Sequence, residues 1–150
     1  MMAQCAHQDS AIVLRDVFSL YHEPKSNYTV ELRLDGIYCQ GEKEFSIPFT
    51  DIVGCHCMRP KPSRSITRRA DPRAFLCIYS YPLRPKKFTK TAWYRCRTTT
   101  ILRTKKFDTF DENKKIVQEW RNALLTLLRQ KKYGSEVDAS TLNGGVGLLI

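Results

Sequence analysis

The sequence predicts a mainly β domain closed by one C-terminal α-helix: a seven-stranded antiparallel barrel or sandwich with the helix capping it. Three observations carry this expectation. Up to Thr104 the apolar residues follow strand patterns, broken at short intervals by turn residues. Beyond that point Ile116, Trp120, Leu124 and Leu128 recur every four residues, and Val117 and Leu127 widen the stripe, which is the period of an amphipathic helix. The length of 150 residues fits one domain with its own core.

Taken in order, residues 1–10 read as a flexible tail and 11–21 (AIVLRDVFSLY) as the first strand. Residues 22–27 form a loop by composition, and 28–34 (YTVELRL) alternate cleanly. Asp35-Gly36 joins that strand to 37–40, and Asp-Gly between two such runs is a strong hairpin signal. Strands 44–49 and 52–58 follow. Residues 59–73 (RPKPSRSITRRADPR) hold three prolines and six basic residues, a long basic loop. Residues 74–81 (AFLCIYSY) read as a buried strand and 82–90 as a second basic connection.

The last predicted strand is 92–104 (AWYRCRTTTILRT). Its alternation places Tyr94, Cys96, Thr98, Thr100 and Leu102 on one face and Arg95, Arg97, Arg103 and then Lys105 on the other. The helix falls within 105–128, with Thr109 or Asp111 as its cap, acids in its first turn, and Arg129, Lys131 and Lys132 in or beyond its last. On its apolar stripe Trp120 reads as the plug that seals the core. The domain thus spans 11–132, and 133–150 form a loose tail.

The charge of +10 is concentrated. Residues 1–51 hold 4 basic and 8 acidic side chains, 52–107 hold 15 and 1, and 108–150 hold 6 of each. A one-sided basic surface facing something anionic follows. No apolar run reaches membrane-spanning length, and the first residues lack a secretory apolar core. Six cysteines are too few for a disulfide framework, so a reduced, cytoplasmic setting is expected.

No catalytic constellation is legible. His7, His22 and His56 fall in a tail, a loop and a strand, with no acid or nucleophile spaced for a triad. The glycine-rich run 143–147 opens no helix that could hold a phosphate. Cys55-His56-Cys57 alternates across a strand, so its three potential ligands do not converge on a metal. No cofactor is expected.

The basic surface is the functional candidate. It comprises Arg59, Lys61, Arg64, Arg68, Arg69 and Arg73 in the long loop, and Arg84, Lys86, Lys87 and Lys90 in the second connection. Arg95, Arg97, Arg103 and Lys105 add the outward face of the last strand. Clustered cations attract anionic leaflets at about 1 kcal/mol per residue near the surface, which suits reversible peripheral membrane association. Phosphorylation of Ser63, Ser65 or Thr67 would weaken that attraction. Nucleic acid is the other anionic partner, with Phe88, Trp93 and Tyr94 available for stacking, but no nucleic-acid motif is present.

A seven-stranded barrel capped by a helix with a mid-helix tryptophan resembles the pleckstrin-homology fold. Four stretches together look like the N-terminal region of sphingosine kinases and related lipid kinases: 32–39 (LRLDGIYC), 47–59 (IPFTDIVGCHCMR), 75–81 (FLCIYSY) and 107–128, with 117–124 reading VQEWRNAL. The similarity covers residues 11–130. It implies a part in sphingolipid metabolism as a non-catalytic regulatory and targeting module. In that family, transfer of phosphate from ATP to a sphingoid base belongs to a following catalytic domain with Asn-Pro-x-Ser-Gly-type and Gly-Gly-Asp-Gly-type loops. Neither loop occurs here, Gly144-Gly145 being followed by Val146, so no catalytic residue carries over. An intact kinase is the reading if that domain follows Ile150. Phosphoinositide-binding members of the fold carry several cations in the loop joining the first two strands, where this chain has Lys25 alone beside Glu23. Attraction to lipid is therefore expected as bulk electrostatics from loop 59–73. The rival is a protein-interaction module that binds a peptide in a groove between a strand and the helix; a protein partner or the missing kinase domain is the other partner expected.

Overall fold

The computed structural model describes residues 11–61, 71–83, 86 and 89–133. Seven antiparallel strands form one open sheet followed by a C-terminal helix, the layout of a pleckstrin-homology-like sandwich. The strands are β1 (Ile12–Leu20), β2 (Glu23–Arg33), β3 (Gly36–Gln40), β4 (Glu44–Pro48), β5 (Ile52–Met58), β6 (Ala74–Ser80) and β7 (Thr98–Thr104). A short helix, α1 (Lys90–Cys96), precedes β7, and α2 (Phe110–Tyr133) follows it. The strand order is β4-β3-β2-β1-β7-β6-β5, so β4 and β5 are the free edges among the described residues.

Burial follows the alternation. Phe18, Tyr28, Val30, Leu32, Ile37, Ile47, Leu76, Ile78 and Leu102 turn one face of the sheet into a core. Val117, Trp120, Leu124, Leu125 and Leu128 of α2 cover it. The Trp120 ring meets Phe18 edge-on at 5.2 Å, so the tryptophan is a core plug. Thr109 caps α2: its Oγ1 accepts from the Glu112 N–H at 3.3 Å and donates to Glu112 Oε1 at 2.9 Å. This joins the same two residues as a capping box.

The hairpin at Asp35-Gly36 forms, with Leu32 opposite Ile37. Glycine is needed there for space. A Cβ on Gly36 would sit 2.7 Å from the Ile47 carbonyl oxygen, because β4 passes directly against it.

Three expectations are corrected. Residues 23–27 belong to β2, because Leu20 pairs with Glu23 and the turn is only Tyr21-His22. Ser26 makes this polar stretch strand-competent: its hydroxyl donates to the Glu23 carbonyl and accepts from the Leu20 N–H at 3.1 Å, bridging an irregular register.

The strand expected over 92–104 begins only at Thr98. Thr89 accepts from the Ala92 N–H and starts α1, which places Arg95 on a helix, and Arg97 ends it. Alternating arginines suit either state, whereas the β-branched run from Thr98 to Ile101 favours strand. Finally, Arg103 lies on the outward face of β7 but is not part of a solvated basic surface. It is 8% exposed and donates to the Pro24 carbonyl of β2.

Candidate functional site

The antiparallel register decides where the basic residues go. Met58 lies opposite Phe75, and Ala74 opposite Thr104. Arg59, Lys61, Arg73, Lys105 and Lys106 therefore stand at one end of the β5–β6–β7 unit. The first turns of α2, with Lys114 and Lys115, start from the same end. Ile52 opposite Ser80 and Ser80 opposite Thr98 define the other end, where Lys86, Lys90, Arg95 and Arg97 lie around α1. Seven strand residues separate the two groups by about 20 Å. Arg64, Arg68, Arg69, Arg84, Lys87 and the serines and threonine of the long loop lie outside the described residues, as do the two tails.

The α2 end is built around Asn113, a residue whose role composition does not reveal. Its side chain is fully buried. Nδ2 donates to the Pro72 carbonyl at 2.7 Å and the Phe107 carbonyl at 3.0 Å, while Oδ1 accepts from the Phe107 N–H at 2.9 Å. One amide thus ties the flank of the basic loop and the β7–α2 link to the helix. Around it, Arg59 lies over the Phe110 ring at 5.2 Å and Lys106 over Phe107 at 5.8 Å.

Arg59, Lys61, Lys105, Lys106 and Lys115 are exposed and make no ion pair among the described residues. Met58 and Phe107 are exposed between them, at 37% and 40%. Asp108, Asp111 and Glu112 are the exposed acids of the helix start. Arg73 differs from the other cations. It holds Asp71 through a 2.7 Å ion pair, and those hydrogen bonds keep the Asp71 carboxyl below the usual carboxylate range. Its charge is largely answered within the chain.

The α1 end is an aromatic platform. The Arg97 guanidinium lies 4.6 Å from the Tyr79 ring centre and 5.1 Å from that of Tyr94. His56 stacks on the other partner, Tyr79, at 5.4 Å, and Trp93 meets Tyr81 edge-on at 5.0 Å. Val53, His56, Tyr79, Tyr81 and Arg97 line a shallow cleft of about 200 Å³ there.

Cys55 turns into the core while His56 turns to Tyr79, as strand alternation requires. Among the described residues no group of three or more potential ligands is placed to hold a metal ion. The five described cysteines are free thiols, and burial pushes the Cys39 and Cys55 thiols up to about 12. At neutral pH those sulfurs are protonated and poor nucleophiles. Among the described residues no helix is long and apolar enough to cross a membrane. Comparison with known proteins found no matching family model, no matching curated protein and no matching solved structure.

Proposed function

We propose that this chain is a non-catalytic regulatory and targeting module, of the kind that precedes the catalytic domain in sphingosine kinases, and that it attaches reversibly to anionic membranes through the α2 end. The supporting observation is the set of exposed cations without ion pairs at that end, Arg59, Lys61, Lys105, Lys106 and Lys115. Segment 62–70, with Arg64, Arg68 and Arg69 in its sequence, joins the chain between Lys61 and Asp71 of the same end. Met58 and Phe107 add apolar surface that enters the headgroup region. At about 1 kcal/mol per cation, five to eight cations hold the domain on a charged leaflet and release it as salt rises.

The test is sedimentation of the full chain with phosphatidylcholine vesicles, with and without 20 mol% phosphatidylserine, at about 0.1 and 0.5 M salt, a range over which screening tightens severalfold. Binding should require phosphatidylserine, fall at the higher salt, and be lost in an Arg64→Glu, Arg68→Glu, Arg69→Glu triple variant. Equal binding to neutral vesicles, or an unaffected triple variant, sinks the proposal. The second reading rests on the free edge of β5 beside α2, where an extended peptide could add a strand. Salt-insensitive capture of a protein partner would favour it.

A further inference from the structure

Where β1 parts from β7, the sheet leaves a groove. The two strands pair only at Ser19–Arg103 and Leu20–Leu102, followed by one bond from the Tyr21 N–H to the Ile101 carbonyl. Among the described residues, β1 continues along β2 alone beyond Ser19 towards its N-terminus. The opening has a volume of about 350 Å³ and is lined by residues including Ser19, Asn27, Arg103, Lys105, Lys106 and Asp16. That is room for on the order of ten waters, or for a polyatomic anion and part of the group it is attached to.

Arg103 distinguishes this groove from a solvated basic patch. Leu102 points into the core, so its neighbour Arg103 lies on the opposite face of β7. There it is buried to 8% exposure, makes no ion pair among the described residues, and has a buried Nε without any hydrogen-bond partner. Among the described residues it donates to the Pro24 carbonyl. The Asp71 carboxylate acts on this charge from a distance, without a direct ion pair, and is itself held by Arg73. The unpartnered buried Nε remains unfavourable, and an anion in the adjoining groove relieves it.

We infer that this groove is a binding site for a phosphomonoester, with Arg103 as its buried cation, Lys105 and Lys106 at its rim, and the Ser19 hydroxyl and Asn27 amide as neutral donors. In the groove lining three cations face one carboxylate, Asp16, whose Oδ1 is already engaged by the Val17 N–H at 2.8 Å; Asp71, which also acts on Arg103, is paired with Arg73 outside the lining. That excess matches a group carrying close to two negative charges at neutral pH better than a carboxylate carrying one. A guanidinium also presents its donors in the fork that phosphate oxygens accept. This site is independent of the membrane reading, since phosphomonoesters occur both free in solution and as lipid headgroups.

The test titrates inorganic phosphate into the ¹⁵N-labelled full chain while amide shifts are followed. Saturable shifts should cluster at Ser19, Asn27 and Arg103 to Lys106. Asn27→Asp, at an exposed position, should weaken the apparent affinity at least tenfold, and Asp16→Asn should strengthen it severalfold. Arg103→Gln should abolish the response. Should that variant fail to fold, the two exchanges at Asn27 and Asp16 still decide the matter. Shifts spread evenly over the exposed lysines, or indifference to both exchanges, would overturn the site.

Vesicles containing phosphatidic acid or phosphatidylserine at equal mole fraction separate the sources. Loss of binding to phosphatidic acid alone in Asn27→Asp supports a lipid headgroup. Unchanged vesicle binding with a weakened phosphate titration supports a free phosphomonoester. The Arg64, Arg68 and Arg69 triple variant should leave the phosphate shifts in place, so failure of the membrane proposal and failure of this site give different results.

Discussion

Asn113 shows how one side chain positions a surface. Its amide satisfies three backbone groups of two different connections, Pro72 O, Phe107 O and Phe107 N, and has no exposure to water. In Asn113→Ala those groups lose their partner in a buried setting, at about 1–3 kcal/mol for each one left unsatisfied. The urea midpoint should fall by an amount corresponding to several kcal/mol. A midpoint unchanged within error would show that water replaces the amide without penalty. Nothing in the local sequence marks this residue, because an asparagine near a helix start has the same local pattern whether it faces solvent or another loop. Arg103 poses the same difficulty in reverse. As one of several arginines on an alternating stretch it reads as outward, and only its approach to Pro24, 79 residues earlier in the chain, buries it.

Among the elements, α2 was the most legible. A four-residue apolar period, a threonine cap and acids in the first turn all agree, and agreement between independent local signals makes an element predictable. Trp120 is 2% exposed and packs edge-on against Phe18 across the core. Trp120→Ala should therefore cost on the order of 3–5 kcal/mol, from lost burial and the cavity left behind. Thermal denaturation measures this, and an unshifted midpoint would mean that α2 does not close the core. The short helix α1 was hidden because its seven residues bury nothing fully and so carry no stripe. β2 extends further back than its apolar residues do, since Pro24, Lys25 and Asn27 are exposed and are held in line by the pairing of Leu20 with Glu23, the Ser26 bridge and the Arg103 bond to the Pro24 carbonyl.

Across the whole molecule, the seam between β1 and β7 is the weak line of the sheet. Among the described residues β6 is paired along its length with β5 on one side and β7 on the other, whereas most of β1 has β2 alone. Hydrogen exchange should reflect this. Amides of β6 should exchange only on global unfolding, while alternate amides of Ile12–Phe18, those turned towards the opening, should exchange orders of magnitude faster. Uniform protection along β1 would mean that the seam is closed in solution, and would count against an accessible groove.

The pattern of residues along the chain determined the seven strands, the Asp35-Gly36 hairpin, the capped helix and the burial of Trp120. It could do so because periodicity records which face of an element meets the core. It also determined how much positive charge the middle of the chain carries. The distribution of that charge was decided by tertiary structure alone. Register sends Arg59 and Lys105 to one end and Arg97 to the other, and buries Arg103 beside the open seam. A charged side chain has nearly the same local pattern on strand, helix or loop. Its partners, and therefore its work, depend on which distant backbone folds up beside it.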